Sequence, residues 1–128
     1  MTIPGTTGRW GTVEFAADAD GESETRAVFD SLVRHEKASL HVAMQRLADF
    51  GRLQNDERFR TVTGSGLWEF RKNQHRFLGG FLPARRFVIA AYERKKKWKL
   101  RPETIQRALR IMNALRKTKE EQCLTVKA

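Results

Sequence analysis

The sequence predicts an α+β domain: an antiparallel twisted sheet packed against an N-terminal helical hairpin and a C-terminal helix, in the order β-α-α-β-β-β-α. Three observations predict it. Apolar residues recur at helical spacing early in the chain, at Leu40, Ala43, Met44 and Leu47. They recur again late, at Ile105, Ala108, Leu109, Met112 and Leu115. Between them lie three short runs, Leu67–Arg71, Arg76–Leu82 and Phe87–Tyr92, separated by polar or proline-containing turns. Closely spaced runs of this kind favour an antiparallel meander, with helices covering one face.

The first strand is expected at Trp10–Phe15, where Val13 and Phe15 share a face. Ser23 is a candidate N-cap, followed by the acidic Glu24, and Val28 and Leu32 begin a helical stripe. The polar residues His35–Lys37 separate it from the clearer second helix, which Gly51 is placed to end. In Leu67–Arg71 the alternation is strict, so Trp68 and Phe70 share one face and Glu69 and Arg71 the other. Asn73 suits the turn that follows, and Gly79–Gly80 permits a bend or bulge in the next strand. Phe87–Tyr92 is apolar throughout, as a central strand would be. Pro102 stands at the usual first position of a helix.

At 128 residues the chain fits one domain. It is expected over 10–118, with 1–9 a disordered N-terminus and 119–128 a C-terminal tail. No apolar run approaches the roughly 20 residues of a membrane span; Pro83, Arg85 and Arg86 interrupt the longest. A cytoplasmic location is expected. The lone Cys123 excludes an intramolecular disulfide, and three scattered histidines, His35, His41 and His75, do not make a zinc site. Gly64-Ser65-Gly66 lacks the Lys-Ser/Thr end of a phosphate loop. No metal and no cofactor are expected.

Charge is concentrated. The formal net charge is +10, yet residues 1–57 carry six Lys/Arg against ten Asp/Glu, and residues 58–128 carry 19 against five. A basic half of this size attracts polyanions at long range. Solubility alone would not require one sign to gather in one half.

A family resemblance enters here. Gly66-Leu67-Trp68-Glu69-Phe70-Arg71 resembles the GL(W/Y)ELR strand of phage-derived toxins of the RelE superfamily related to HigB. Arg76-Phe77 resembles the opening of that family's next strand. The apolar strand ending at Tyr92, the Lys run, and Pro102-Glu103-Thr104-Ile105-Gln106-Arg107-Ala108 follow in matching order. The resemblance spans about residues 12–116. It implies a RelE-like fold and the toxin of a type II toxin–antitoxin pair. The implied activity is metal-free cutting of mRNA, on or off the ribosome, by attack of the substrate's own 2′-hydroxyl. The implied partner is an antitoxin, expected to be a small helix-turn-helix protein. Where the family often has a histidine near the end of the apolar strand, this chain has Ala90 and Ala91.

Metal-free cleavage needs a proton acceptor, cations for the charge that builds on phosphorus, and a donor for the leaving oxygen. The catalytic candidates are Arg71, Arg76, Tyr92, Lys95 and Lys96. Arg71 and Arg76 flank a hairpin turn, and on one face they would grip one phosphate. Counting from Tyr92 selects Arg94–Lys95 as the family's basic pair, whereas counting back from Pro102 selects Lys96–Lys97. The RNA-binding candidates are His75, Arg94, Lys97, Trp98 and Lys99, with Trp98 a platform for an unpaired base. Glu69 would orient Arg71 or act as base. This reading requires the cations to share one hollow.

Two other functions fit the same chain. A ParE-like, non-catalytic inhibitor of a protein such as gyrase would use the same scaffold, since fold does not fix function. A plain nucleic-acid-binding module would use Arg107, Arg110, Arg116 and Lys117 on the last helix, although no helix-turn-helix pair is evident.

Overall fold

The computed structural model describes residues 1–95 and 99–127, with side chains as far as residue 117. The elements are β1 (Thr2–Thr7), β2 (Thr12–Ala16), α1 (Glu24–Ser31), α2 (Arg34–Phe50), β3 (Phe59–Val62), β4 (Leu67–Lys72), β5 (His75–Leu82), β6 (Arg86–Arg94) and α3 (Pro102–Lys127). The strands form one sheet in the order β1-β2-β6-β5-β4-β3. Neighbours are antiparallel except β2 and β6, which run parallel.

The α+β class stands, but the element order differs from the expected one. A strand is added at each edge of the sheet. β1 occupies residues expected to be disordered, because Pro4 and Gly5 read as breakers. At a sheet edge, however, proline's missing N–H costs no ladder bond. The register against β2 also shifts between Pro4 and Thr6, which absorbs the irregular residue as a bulge. β3 lies in a stretch that reads as polar. Its buried residues, Phe59 and Val62, pack on opposite faces of the sheet, so no one-sided alternation marks it. α3 also runs to Lys127, past the end expected at 118.

Helices cover both faces rather than one. The hairpin of α1 and α2 packs on Phe15, Phe70, Phe77, Phe87 and Ile89. α3 packs on Leu67, Leu78 and Val88 through Ala108 and Met112. The physical reason lies in β5 and β6, which are buried almost continuously and so present apolar side chains on both sides.

Local signals set the helix ends. The Ser23 hydroxyl accepts a hydrogen bond from the Arg26 N–H at 3.2 Å, capping α1. Gly51 adopts φ 75°, and its N–H reaches the Leu47 carbonyl at 2.7 Å. The break between α1 and α2 falls at Leu32 and Val33, both extended, rather than at His35–Lys37. Among the described residues no helix is long and apolar enough to cross a membrane.

One irregularity decides where the site residues point. Leu78 pairs with Ala91 but Gly79 pairs with Ile89, so Ala90 is an extra residue in β6. Ala90 and Ala91 both join the α3-side core, and the next residue, Tyr92, packs on the hairpin side. The bulge therefore reverses the alternation for the rest of β6. Gly79 permits it: a β-carbon there would collide with the Val88 carbonyl oxygen.

Candidate functional site

Residues directly opposed across a sheet share a face. Arg71, Arg76 and Glu93 form one such row across β4, β5 and β6. Arg60 and Glu69 are opposed across β3 and β4 on the same side, the side that α3 covers. A hollow of about 430 Å³ opens there, lined in part by Thr61, Thr63, Glu69, Lys95, Lys99 and Ile105.

Glu69 and Arg76 are the buried centre of this group, 7% and 6% exposed. The Arg76 Nε lies 3.9 Å from the Glu69 Oε1, too far for a hydrogen bond. Arg76 Nη1 donates instead to the carbonyls of Asn73 at 2.6 Å and His75 at 2.9 Å. The Glu69 Oε2 and Arg76 Nε are buried with no hydrogen-bond partner. Burial pushes the Glu69 carboxyl above the usual carboxylate range, against the opposing pull of Arg76, Arg71, Lys95 and Arg60. Burial likewise lowers the Arg76 guanidinium, with Glu69 opposing. The two groups are thus held in a dry place and only loosely joined, the kind of perturbed pair that marks a candidate functional site.

The neighbouring loop is fixed at both ends. The Lys95 N–H donates to the Gln74 carbonyl at 2.7 Å. The Glu93 carboxylate accepts from the Arg101 N–H at 3.0 and 3.3 Å, just ahead of Pro102. This second contact ties the end of β6 to the start of α3 and keeps the wall of the hollow in place.

The opposite face holds a different cluster. The Tyr92 hydroxyl lies 2.6 Å from the His75 Nδ1, and the His75 Nε2 lies 3.2 Å from a Glu36 oxygen. Asn73 Nδ2 donates to the other Glu36 oxygen at 2.7 Å. The Asn73 hydrogen bond lowers the Glu36 carboxyl, against burial and with help from His75. Burial raises the Tyr92 phenol. Arg94 is exposed on this side, its Nε donating to the Gln74 Oε1 at 3.1 Å.

The candidates therefore divide. Arg71, Arg76, Lys95 and Lys99 come together on the α3 face; Tyr92 and Arg94 do not join them, because the Ala90 bulge turned β6 over, and His75 does not because it alternates with Arg76 along β5. Arg76 is buried and, unlike Glu69, does not line the hollow, and its Nη1 is occupied, so it does not share a phosphate with Arg71 as expected. Lys96, Lys97 and Trp98 lie outside the described residues. Sequence reasoning missed Glu93, hidden at the head of a basic run, and Glu36. A signal for Glu36 existed: it stands four residues before Leu40, on the buried stripe of α2.

Residues 27–113 match the sequence profile of the family described as phage derived protein Gp49-like (DUF891). No curated protein matches the chain. The matched stretch runs from α1 into α3 and includes every described catalytic and RNA-binding candidate above. The chain belongs to the Gp49-like family of phage-derived proteins, a family associated with toxins of the RelE/HigB type of toxin–antitoxin pair.

Proposed function

We propose that this protein is the toxin of a toxin–antitoxin pair and cleaves RNA in the hollow on the α3 face. The observation that carries the reading is the convergence of Arg60, Arg71, Arg76 and Lys95 on one buried carboxylate, Glu69, at the edge of that hollow. Several cations at one place suit a phosphodiester, and a carboxyl raised by burial suits the part of a proton acceptor.

In this mechanism Glu69 takes the proton of the substrate's 2′-hydroxyl as that oxygen attacks the adjacent phosphorus. The bond from phosphorus to the 5′ oxygen breaks, and the 5′ oxygen takes a proton from the Lys95 ammonium. The products are a 2′,3′-cyclic phosphate and a 5′-hydroxyl. Arg71 and Lys99 stabilise the charge on the non-bridging oxygens. Arg76 acts from beneath, positioning Glu69 rather than touching the substrate. The antitoxin, in turn, would cover the hollow with an acidic segment.

The test is to incubate the purified protein with RNA, with and without translating ribosomes, and to analyse the new ends. Cyclic phosphate and 5′-hydroxyl ends that vanish in Arg71→Ala support the reading. RNA left intact in both settings overturns it.

A further inference from the structure

On the far side of β6 the ladder with β2 ends early. Its last pair is Phe15 with Ile89, whereas β6 continues to Arg94. The Ala90 bulge falls at the next residue. Between the two strands opens a cleft of about 760 Å³.

The phase of the β5–β6 ladder says which backbone groups face it. The Lys95 N–H donates to the carbonyl of Gln74, the residue opposite, so Lys95 turns its backbone groups toward β5. In an antiparallel ladder this property alternates, so Glu93 and Ala91 also turn to β5. Tyr92 and Arg94 then turn their N–H and C=O groups outward, to the side on which β6 pairs with no strand beyond Ile89. Water satisfies such groups, and so would another strand.

We propose that this half-edge is a docking site for an extended, basic segment of a partner protein, which adds to the sheet beside Ala90–Arg94. An edge with alternating donors and acceptors takes a strand rather than a helix. The floor is made of small side chains, Ala16, Ala90 and Ala91, leaving room for apolar side chains of the incoming strand. The rim carries the exposed carboxylates of Asp18, Glu22 and Glu24; Arg107, the one cation among the lining residues, stands 3.9 Å from Glu24 and leaves the rim net acidic. Lysine or arginine side chains on the segment's outward positions meet that rim. The site is separate from the RNA hollow and does not depend on the nuclease reading.

The test uses the full chain and a capped hexapeptide, Lys-Val-Lys-Val-Lys-Val, followed by amide NMR at physiological salt. Saturable shifts at the Tyr92 and Arg94 amides, with slowed hydrogen exchange there, are expected. The triple variant Asp18→Asn, Glu22→Gln, Glu24→Gln should bind about tenfold more weakly, as loss of three rim charge contacts implies. Asn at 18 keeps the oxygen that accepts from the Asp20 and Glu22 amides, so the turn survives. A hexapeptide N-methylated on alternate residues should not bind. Absence of saturable shifts at Tyr92 and Arg94 overturns the proposal, as does equal binding by the triple variant. Protection of these amides that grows with protein concentration alone would make the occupant a second copy of this chain and also overturn it.

Discussion

Glu69 and Arg76 approach to 3.9 Å across β4 and β5, and each keeps a buried polar atom that meets no hydrogen-bond partner. A buried pair this loosely joined contributes little to stability. In the proposed mechanism its value lies in a carboxyl raised by burial at the edge of a cationic hollow.

Glu69→Gln tests that directly. Cleavage by the natural protein should rise with pH through the raised carboxyl value and then level off. The glutamine variant should lose about 100-fold or more in rate and lose the rise itself. A variant that keeps the same pH profile removes Glu69 from the chemistry. In stability the sign is opposite: an acid whose folded value is raised favours folding fully below its unfolded value and loses that contribution as pH rises.

Glu14 behaves the other way. Burial raises its carboxyl, but Arg86 and the hydroxyls of Thr12 and Thr2 more than offset this, and it falls from 4.5 to about 2. Arg86 holds both oxygens, at 2.8 and 2.9 Å. This stabilisation is present above pH 4.5 and is lost as pH falls toward 2, up to about 3 kcal/mol before salt screening. Acid titration of Glu14→Gln should therefore show a shallower loss of melting temperature over that window than the natural protein. Parallel curves would show that the pair contributes nothing.

The hairpin-side cluster should matter for folding and not for RNA. His75→Ala removes the link from Tyr92 to Glu36 and should cost about 1–2 kcal/mol in urea unfolding. Its rate of RNA cleavage, measured where it is fully folded, should stay within a few-fold of the natural protein. A large loss of rate with intact stability would move the active site to the opposite face.

The bulge supplies a mechanical test. Gly79→Ala drives a β-carbon into the Val88 carbonyl, and overpacking of this kind costs about 1–3 kcal/mol. Thermal unfolding should show it as a clear drop in melting temperature. An unchanged value would mean that β5 and β6 do not hold the close approach described.

Much of this was legible in the chain. Ser23, Gly51 and Pro102 mark helix ends by local chemistry that tertiary contacts did not override. The alternation of Leu67–Arg71 correctly sent Glu69 and Arg71 to one face. What escaped was what depends on partners far away. β1 becomes a strand only because β2 lies beside it, and β3 because β4 does. The bulge at Ala90 escaped for a simpler reason. Two adjacent alanines carry no contrast of polarity, so the reversal of faces between Ile89 and Tyr92 leaves no mark. Glu36 and His75 are 39 positions apart, and only the folded chain brings them to 3.2 Å.

The proposed mechanism requires RNA to bind on the α3 face of the sheet. A short oligonucleotide with a 2′-deoxy residue at the scissile position cannot be cut, and its titration into isotope-labelled protein maps contacts without turnover. Saturable shifts at Arg60, Glu69, Arg71 and Lys95, suppressed by salt, are expected. Shifts gathered at Glu36, His75 and Tyr92, with the α3 face silent, would contradict the mechanism.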